Sequence, residues 1–262
     1  MLKALSLSQM HNWSSALPPG ELRLWSGRLR GNNLGYFVQV DARRVIAVDV
    51  PDGERMLSLL EERGWELHLL LLTHTHHDHV VNLEKLVEWT GCAFWYPEGA
   101  DLSVPGSPMR DGEEREALGL RIQAMDTSGH SPLDFSYFFP ELPLCFCGDT
   151  LFAWGCGRMF TGPAERFWSS LRRLRGLPDE TLLCCGHDYF AENSQFLRTF
   201  LPQLPEFFPG EGEGEMPLRL GEQKLRNPFL RADDPRVAAA LDLAPGEPVE
   251  VFKKLRELRN QL

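Results

Sequence analysis

The stretch Leu71–Val80, LLTHTHHDHV, decides how the chain is read. It sets His74-x-His76-x-Asp78-His79 directly after the apolar run Leu69–Leu72 and directly before a helical pattern. Four of the chain's eight histidines fall within six positions, a density that sets the motif apart from an ordinary polar loop at a strand end. His74 and His76 are two residues apart. An extended backbone therefore points both to one side, where they can share a metal ion. Asp78 and His79 are expected where a helix begins, and the unpaired N–H groups there favour a carboxylate anion. The turn swings this second pair toward a second ion.

Outward from the motif, strands alternate with helices. Leu34–Val40 alternates, Arg44–Asp49 reads as a strand, and Met56, Leu57 and Leu60 lie at helical spacing before a stop at Gly64. Glu66–Thr73 is a buried strand, His79–Trp89 a helix and Cys92–Tyr96 a strand. Further strands are expected at Leu120–Met125, Asp134–Phe139, Leu144–Cys147 and Thr181–Cys185, with a helix carrying Phe167, Leu171 and Leu174 before the last of them. Beyond about residue 188 the character changes. Phe190–Leu201 is helical, Gly210–Glu215 (GEGEGE) reads as a mobile loop, and Val251, Leu255, Leu258 and Leu262 share a helical phase behind Pro248. The pattern predicts an α/β domain over residues 1–188 and a small all-helical domain over 189–262. The first twenty residues read as a short extension.

Composition narrows the function. The 262 residues carry 27 Lys and Arg against 37 Asp and Glu, a net charge of −10. Such a surface disfavours nucleic acid, and any anionic substrate needs locally placed cations. Apolar runs such as Leu69–Leu72 fall far short of a membrane span. Six cysteines without a C-x-x-C pair read as idle thiols in a reducing compartment, so a cytoplasmic protein is expected.

Two metal sites need more ligands than one motif supplies. His130 lies in DTSGHSP, Asp149 in CGDT and His187 in CCGHD, each at a strand end and each preceded by glycine, where backbone can approach closely.

With these residues in order, the chain resembles the metallo-β-lactamase superfamily, and more narrowly the glyoxalase II (hydroxyacylglutathione hydrolase) family. TSGHSP, GDTLFAWGCGRMFTG, CGHDY and NPFLR (Asn227–Arg231) carry the resemblance, which runs from about Leu34 to Leu258. It implies an αββα sandwich with the metals at one edge and a C-terminal helical domain over the substrate. It also implies two divalent metal ions per chain: one on His74, His76 and His130, the other on Asp78, His79 and His187, with Asp149 bridging. Imidazole and carboxylate without thiolate suit zinc, iron or manganese. Two such ions activate water at neutral pH. The implied activity is hydrolysis of S-(2-hydroxyacyl)glutathione thioesters such as S-lactoylglutathione, a step of methylglyoxal detoxification. Asp78 could also orient the nucleophile. Arg158, Tyr189 and Arg231 are the implied substrate contacts. The partner is thus a small thioester, with no nucleic acid and no membrane, and the protein is expected to act as a monomer.

The chain departs from the family at several points. Arg158 and Phe160 stand where Lys and Tyr are usual. Asp233 and Asp234 follow Arg231, Val81 and Asn82 replace two glycines, and Leu218-Arg219 replaces Ser-Thr. The alternatives are a one-iron persulfide dioxygenase, which uses two His and one Asp, and a metallohydrolase of another thioester or ester. The complete two-metal ligand set favours the hydrolase.

Overall fold

The computed structural model describes residues 10–17, 22–210, 213–214 and 216–262, the first of these segments by backbone alone. The chain forms two compact units, one reaching to Met125 and including Tyr137–Leu142, the other made of Asp126–Ser136 and Pro143–Leu262. The expected boundary at residue 188 falls within the second unit.

The first unit is built on a seven-stranded sheet in sequential order. β1 (Met10–Leu17), β2 (Leu22–Arg30), β3 (Asn33–Gln39) and β4 (Arg44–Val48) are antiparallel neighbours. β5 (Glu66–Leu71), β6 (Ala93–Pro97) and β7 (Ser107–Met109) continue in parallel. Part of the stretch read as a short extension is thus β1, a sheet strand; its polar sequence MHNWSSAL gives no clean alternation.

Helix α1 (Gly53–Arg63) starts where the Asp52 side chain accepts from Arg55 N at 3.0 Å. It stops at Gly64, whose φ of 64° any β-carbon would resist. The apolar face of α1 and that of α2 (Leu83–Thr90) close one core with Trp25, Phe37, Trp65 and Leu70.

The α2 helix begins four residues later than the sequence predicts. Val50 N donates to His79 O at 2.8 Å, Val81 N to Val50 O at 2.8 Å and Gly53 N to Val81 O at 2.9 Å. The backbone from 79 to 81 is committed to this bridge, so helical bonding waits until after Asn82. Asn82 itself holds φ 60°, a conformation open to glycine and tolerated by Asn, which explains how it can stand in for a glycine. Asp78 and His79 consequently lie on a single 3₁₀ turn, His77–His79, ahead of the helix.

A hairpin of β8 (Glu114–Ala117) and β9 (Leu120–Asp126) follows, then β10 (Phe135–Phe139) and β11 (Leu144–Gly148). In the second unit, β12 (Leu151–Phe152) and β13 (Gly155–Cys156) form a two-residue hairpin. After α3 (Ala164–Arg175) comes β14 (Leu182–Cys185), parallel to β11. The C-terminal segment contributes α4 (Phe190–Phe200), α5 (Leu220–Arg226), α6 (Pro235–Ala240) and α7 (Pro248–Arg259). It also contributes one short strand, β15 (Leu218–Arg219), antiparallel to β14.

Of the apolar stripe expected on α7, Val251 and Leu255 are buried while Leu262 is 53% exposed, since the helix ends at Arg259. Phe252 is the anchor instead. It is fully buried edge-on to Phe167 at 5.5 Å, and burying such a ring contributes about 1.5–3 kcal/mol. Glu211, Gly212 and Glu215 of the acidic loop lie outside the described residues; Glu213 pairs with Arg226.

Candidate metal centre

The first unit supplies a contiguous cluster. The buried Thr73 and His74 follow the end of β5, and the 3₁₀ turn brings His79 back, so that the His74 and His79 imidazole centroids are 4.1 Å apart. His76, two residues along the extended chain, lies 4.7 Å from His74, as the spacing predicts.

A residue read only as the end of a strand organises this cluster. The Asp49 carboxylate accepts from Thr73 N at 2.7 Å and Thr73 Oγ1 at 2.8 Å, and lies 2.8 Å from His79 Nδ1. Thr73 Oγ1 is in turn 3.0 Å from His74 Nδ1. With Thr73 donating to the Asp49 carboxylate, both imidazoles carry their proton on Nδ1 and leave Nε2 as the candidate ligand atom. Asp49 holds φ 57°, unusual for any residue but glycine and borne here beside the metal motif. Asn33 Nδ2 donates to Asp78 Oδ2 at 3.1 Å and to Asp78 O at 3.2 Å, fixing that carboxylate. No motif in the sequence marks Asp49, Thr73 or Asn33. Their signal would have been position alone, at strand ends beside the histidine motif.

The second unit supplies a scattered cluster. Asp149 Oδ2 lies 3.4 Å from His130 Nε2 and 3.3 Å from His187 Nε2. His130 Nδ1 donates to Arg158 O at 2.9 Å, which again turns Nε2 inward. The loop around His130 is held by the buried Asp134, which accepts from Gly129 N at 3.0 Å and from Ser131 N at 2.6 Å. Burial pushes the Asp134 carboxyl up to about 6. Gly129 packs so close that a β-carbon there would come within 2.4 Å of Phe167.

The Tyr189 ring stacks on that of His187 at 5.1 Å. Arg158 is exposed, makes no ion pair among the described residues and lies over the Phe160 ring at 5.7 Å. Phe160 is 57% exposed and edge-on to His130 at 5.3 Å. Arg231 is otherwise engaged. Its guanidinium pairs with Asp234 and donates to the Lys224 and Leu225 carbonyls at the end of α5.

Helix α7 also carries two cations, of which Arg259 interacts with Tyr189. Arg256 is 5% exposed, and Arg259 Nε donates to Asn193 Oδ1 at 2.8 Å. Burial and the neighbouring Arg256 charge lower the Arg259 pKa, so positive charge is concentrated there. The six cysteines are free and five are buried; burial drives the Cys145, Cys184 and Cys185 thiols well up, leaving them inert.

Residues 39–187 match the family model of the metallo-beta-lactamase superfamily, and residues 209–262 match that of the hydroxyacylglutathione hydrolase C-terminus. A hydroxyacylglutathione hydrolase of Methylobacterium nodulans is 37% identical over 245 residues, 88% of this chain and 96% of that protein. The chain belongs to the hydroxyacylglutathione hydrolase family. Another member, from Cereibacter sphaeroides, is 39% identical over 228 residues, 82% of this chain and 88% of its own. Among solved structures, ETHE1 from Myxococcus xanthus superposes with a TM-score of 0.67 at 24% identity, covering 91% of this chain and 90% of that one. That likeness shows the fold. TTHA1623 in a di-iron-bound form gives a TM-score of 0.55 at 28% identity, covering 76% of this chain and 95% of its own. Among the described residues no helix is long and apolar enough to cross a membrane.

Proposed function

We propose that this family member hydrolyses S-(2-hydroxyacyl)glutathione thioesters, S-lactoylglutathione among them, on two divalent metal ions. The observation that carries the reading is Asp149, whose Oδ2 faces His130 Nε2 and His187 Nε2 at 3.4 and 3.3 Å, a position suited to a carboxylate shared by two ions. The donor set fits such ions. Five histidines and two carboxylates offer borderline nitrogen and hard oxygen, and Nδ1 of His74, His79 and His130 is held so that Nε2 is presented. By the family's ligand pattern, His74, His76 and His130 would hold one ion, Asp78, His79 and His187 the other, and Asp149 both. Zinc is the proposed metal. The di-iron form of TTHA1623 supports iron as the alternative, and manganese suits the same donors.

Bound there, the ions supply Lewis acidity toward the thioester carbonyl and lower the pKa of water. The chain's own residues do the rest. Asn33 fixes Asp78 for orienting the nucleophile. Arg158 and Arg259 hold the glutathione carboxylates by charge-assisted hydrogen bonds. Tyr189, stacked on His187, lines the approach. Arg231, engaged by Asp234, takes a structural part in place of the substrate contact the sequence implied. The leaving thiolate is stable enough to need no strong general acid.

The boundary at residue 188 then separates metal ligands from substrate-covering helices. We read the protein as a cytoplasmic monomer acting in methylglyoxal detoxification. Kinetics on S-lactoylglutathione and on the same acyl group carried by coenzyme A test the reading. Strong preference for the glutathione thioester supports it, and equal turnover of both overturns the glutathione assignment. The persulfide dioxygenase reading predicts oxygen uptake and one iron per chain, and the full ligand set weighs against it.

A further inference from the structure

The hairpin Leu151–Cys156 follows Asp149 by two residues and precedes Arg158 by two. A pair of two-residue strands has little stability of its own. Its tip nevertheless holds Trp154 at φ 52°, a backbone conformation that a tryptophan resists.

What holds it is a set of side chains from far along the sequence. Asn227 Nδ2 donates to Phe152 O at 3.2 Å and to Gly155 O at 3.1 Å. Asn193 Nδ2 donates to Ala153 O at 2.8 Å, Gln223 Oε1 accepts from Trp154 N at 2.9 Å, and an Arg256 guanidinium N–H donates to Cys156 O at 3.0 Å. Each residue from Phe152 to Cys156 thus has a main-chain group bonded to a side chain of the C-terminal segment. Gln223 and Asn227 are fully buried. Asn227 Nδ2 also donates to Gln223 Oε1 at 3.2 Å, so the two buried amides reach the hairpin as one bonded pair. Gly155 is the position that permits the approach, since a β-carbon there would lie 2.3 Å from Asn193 Nδ2.

At its base the hairpin controls two proposed ligands. Asp149 enters it, and a β-carbon on Gly157 would come within 2.0 Å of Asp149 O, so entering and leaving strands touch. Arg158 O, on the leaving side, accepts the His130 Nδ1 proton. A shift of the tip therefore moves Asp149 directly and releases His130 from its orienting partner.

We propose that Asn227 and Gln223 are positioning residues for the metal centre, clamping the Leu151–Cys156 hairpin so that Asp149 and His130 keep their ligand geometry. The C-terminal segment then serves the metals as well as the substrate. This inference rests on the reading of Asp149 and His130 as ligands. It needs no assumption about the thioester.

The test uses the full-length metal-loaded protein and reads metal affinity by chelator competition, with kinetics alongside. Asn227→Leu and Gln223→Leu should each weaken metal retention by about 10–100-fold, as loss of an orienting partner does. The turnover number kcat should fall with it, while KM stays within about two-fold. Gln223→Glu keeps an acceptor for Trp154 N and should restore most of the affinity. Gln203→Ala removes another side-chain bond to a C-terminal carbonyl, that of Ala240, outside the hairpin, and should change nothing. If Asn227→Leu does not fold, the contrast between Gln223→Leu and Gln223→Glu decides alone. Wild-type metal affinity in Gln223→Leu, or equal losses in Gln223→Leu and Gln223→Glu, would overturn the proposal. Failure of the wild-type protein to cleave a glutathione thioester while holding two ions would overturn the proposed substrate and leave the clamp standing.

Discussion

The two clusters of proposed ligands are built in opposite ways. In the first unit, His74, His76, Asp78 and His79 come from six consecutive residues, and Asp49 and Thr73 orient two of the imidazoles through a short chain of hydrogen bonds. In the second, His130, Asp149 and His187 come from three separate strand ends, and a hairpin held by Asn193, Gln223, Asn227 and Arg256 fixes two of them. A contiguous motif needs one carboxylate to set it. A scattered one needs a scaffold, and the scaffold is distant in sequence. The first cluster should therefore fail through single contacts, and the second through loss of distant support.

The comparison can be broken most severely at Asp149. Asp149→Ala should strip both ions and reduce thioester cleavage to the level of the chelated protein. Elemental analysis of the purified variant checks this; two tightly held ions would mean that the carboxylate is shared by neither. Next in size is Asp49→Asn, which replaces the acceptor that orients His74 and His79. Metal affinity should fall about 10–100-fold, measured by chelator competition, with the melting temperature reported beside it.

Smaller still is the effect of substrate charge. Arg259→Ala should raise KM for S-lactoylglutathione by about 10–150-fold, the worth of one charge-assisted hydrogen bond, without changing metal content. A thioester lacking the glutathione carboxylates should show no such change. The smallest effect on turnover is expected at Arg231. Arg231→Ala breaks the pair with Asp234 and the bonds to the end of α5, so unfolding should come earlier in denaturant while KM shifts by less than about two-fold. A large rise in KM with unchanged stability would return Arg231 to the substrate site.

The asymmetry also sets how far the sequence could be read. His74-x-His76-x-Asp78-His79 is visible because its proposed ligands are adjacent and follow an apolar strand. The helix after it begins later than the apolar phase predicts, because the backbone bridge from Val50 to Val81 leaves no trace in composition. His130, Asp149 and His187 stand out through their glycines and through resemblance, since no periodicity links residues so far apart. Asp49 reads as one more strand end, and Asn227 and Gln223 as polar residues among many. Their roles exist only once the chain has folded and their amides meet the hairpin. The arginines of α7 carry no signal of their own beside the helical phase of Val251 and Leu255. Arg231 shows the converse, a motif residue whose guanidinium the fold already uses.

The central claim is that the two clusters together hold two ions that serve hydrolysis. It is tested most directly by titrating the metal-stripped protein with zinc while measuring free-thiol release from S-lactoylglutathione. Activity should rise to a plateau at two ions per chain, with one thiol released for each thioester consumed. A plateau at one ion per chain, or metal-loaded protein that releases no thiol, would contradict it.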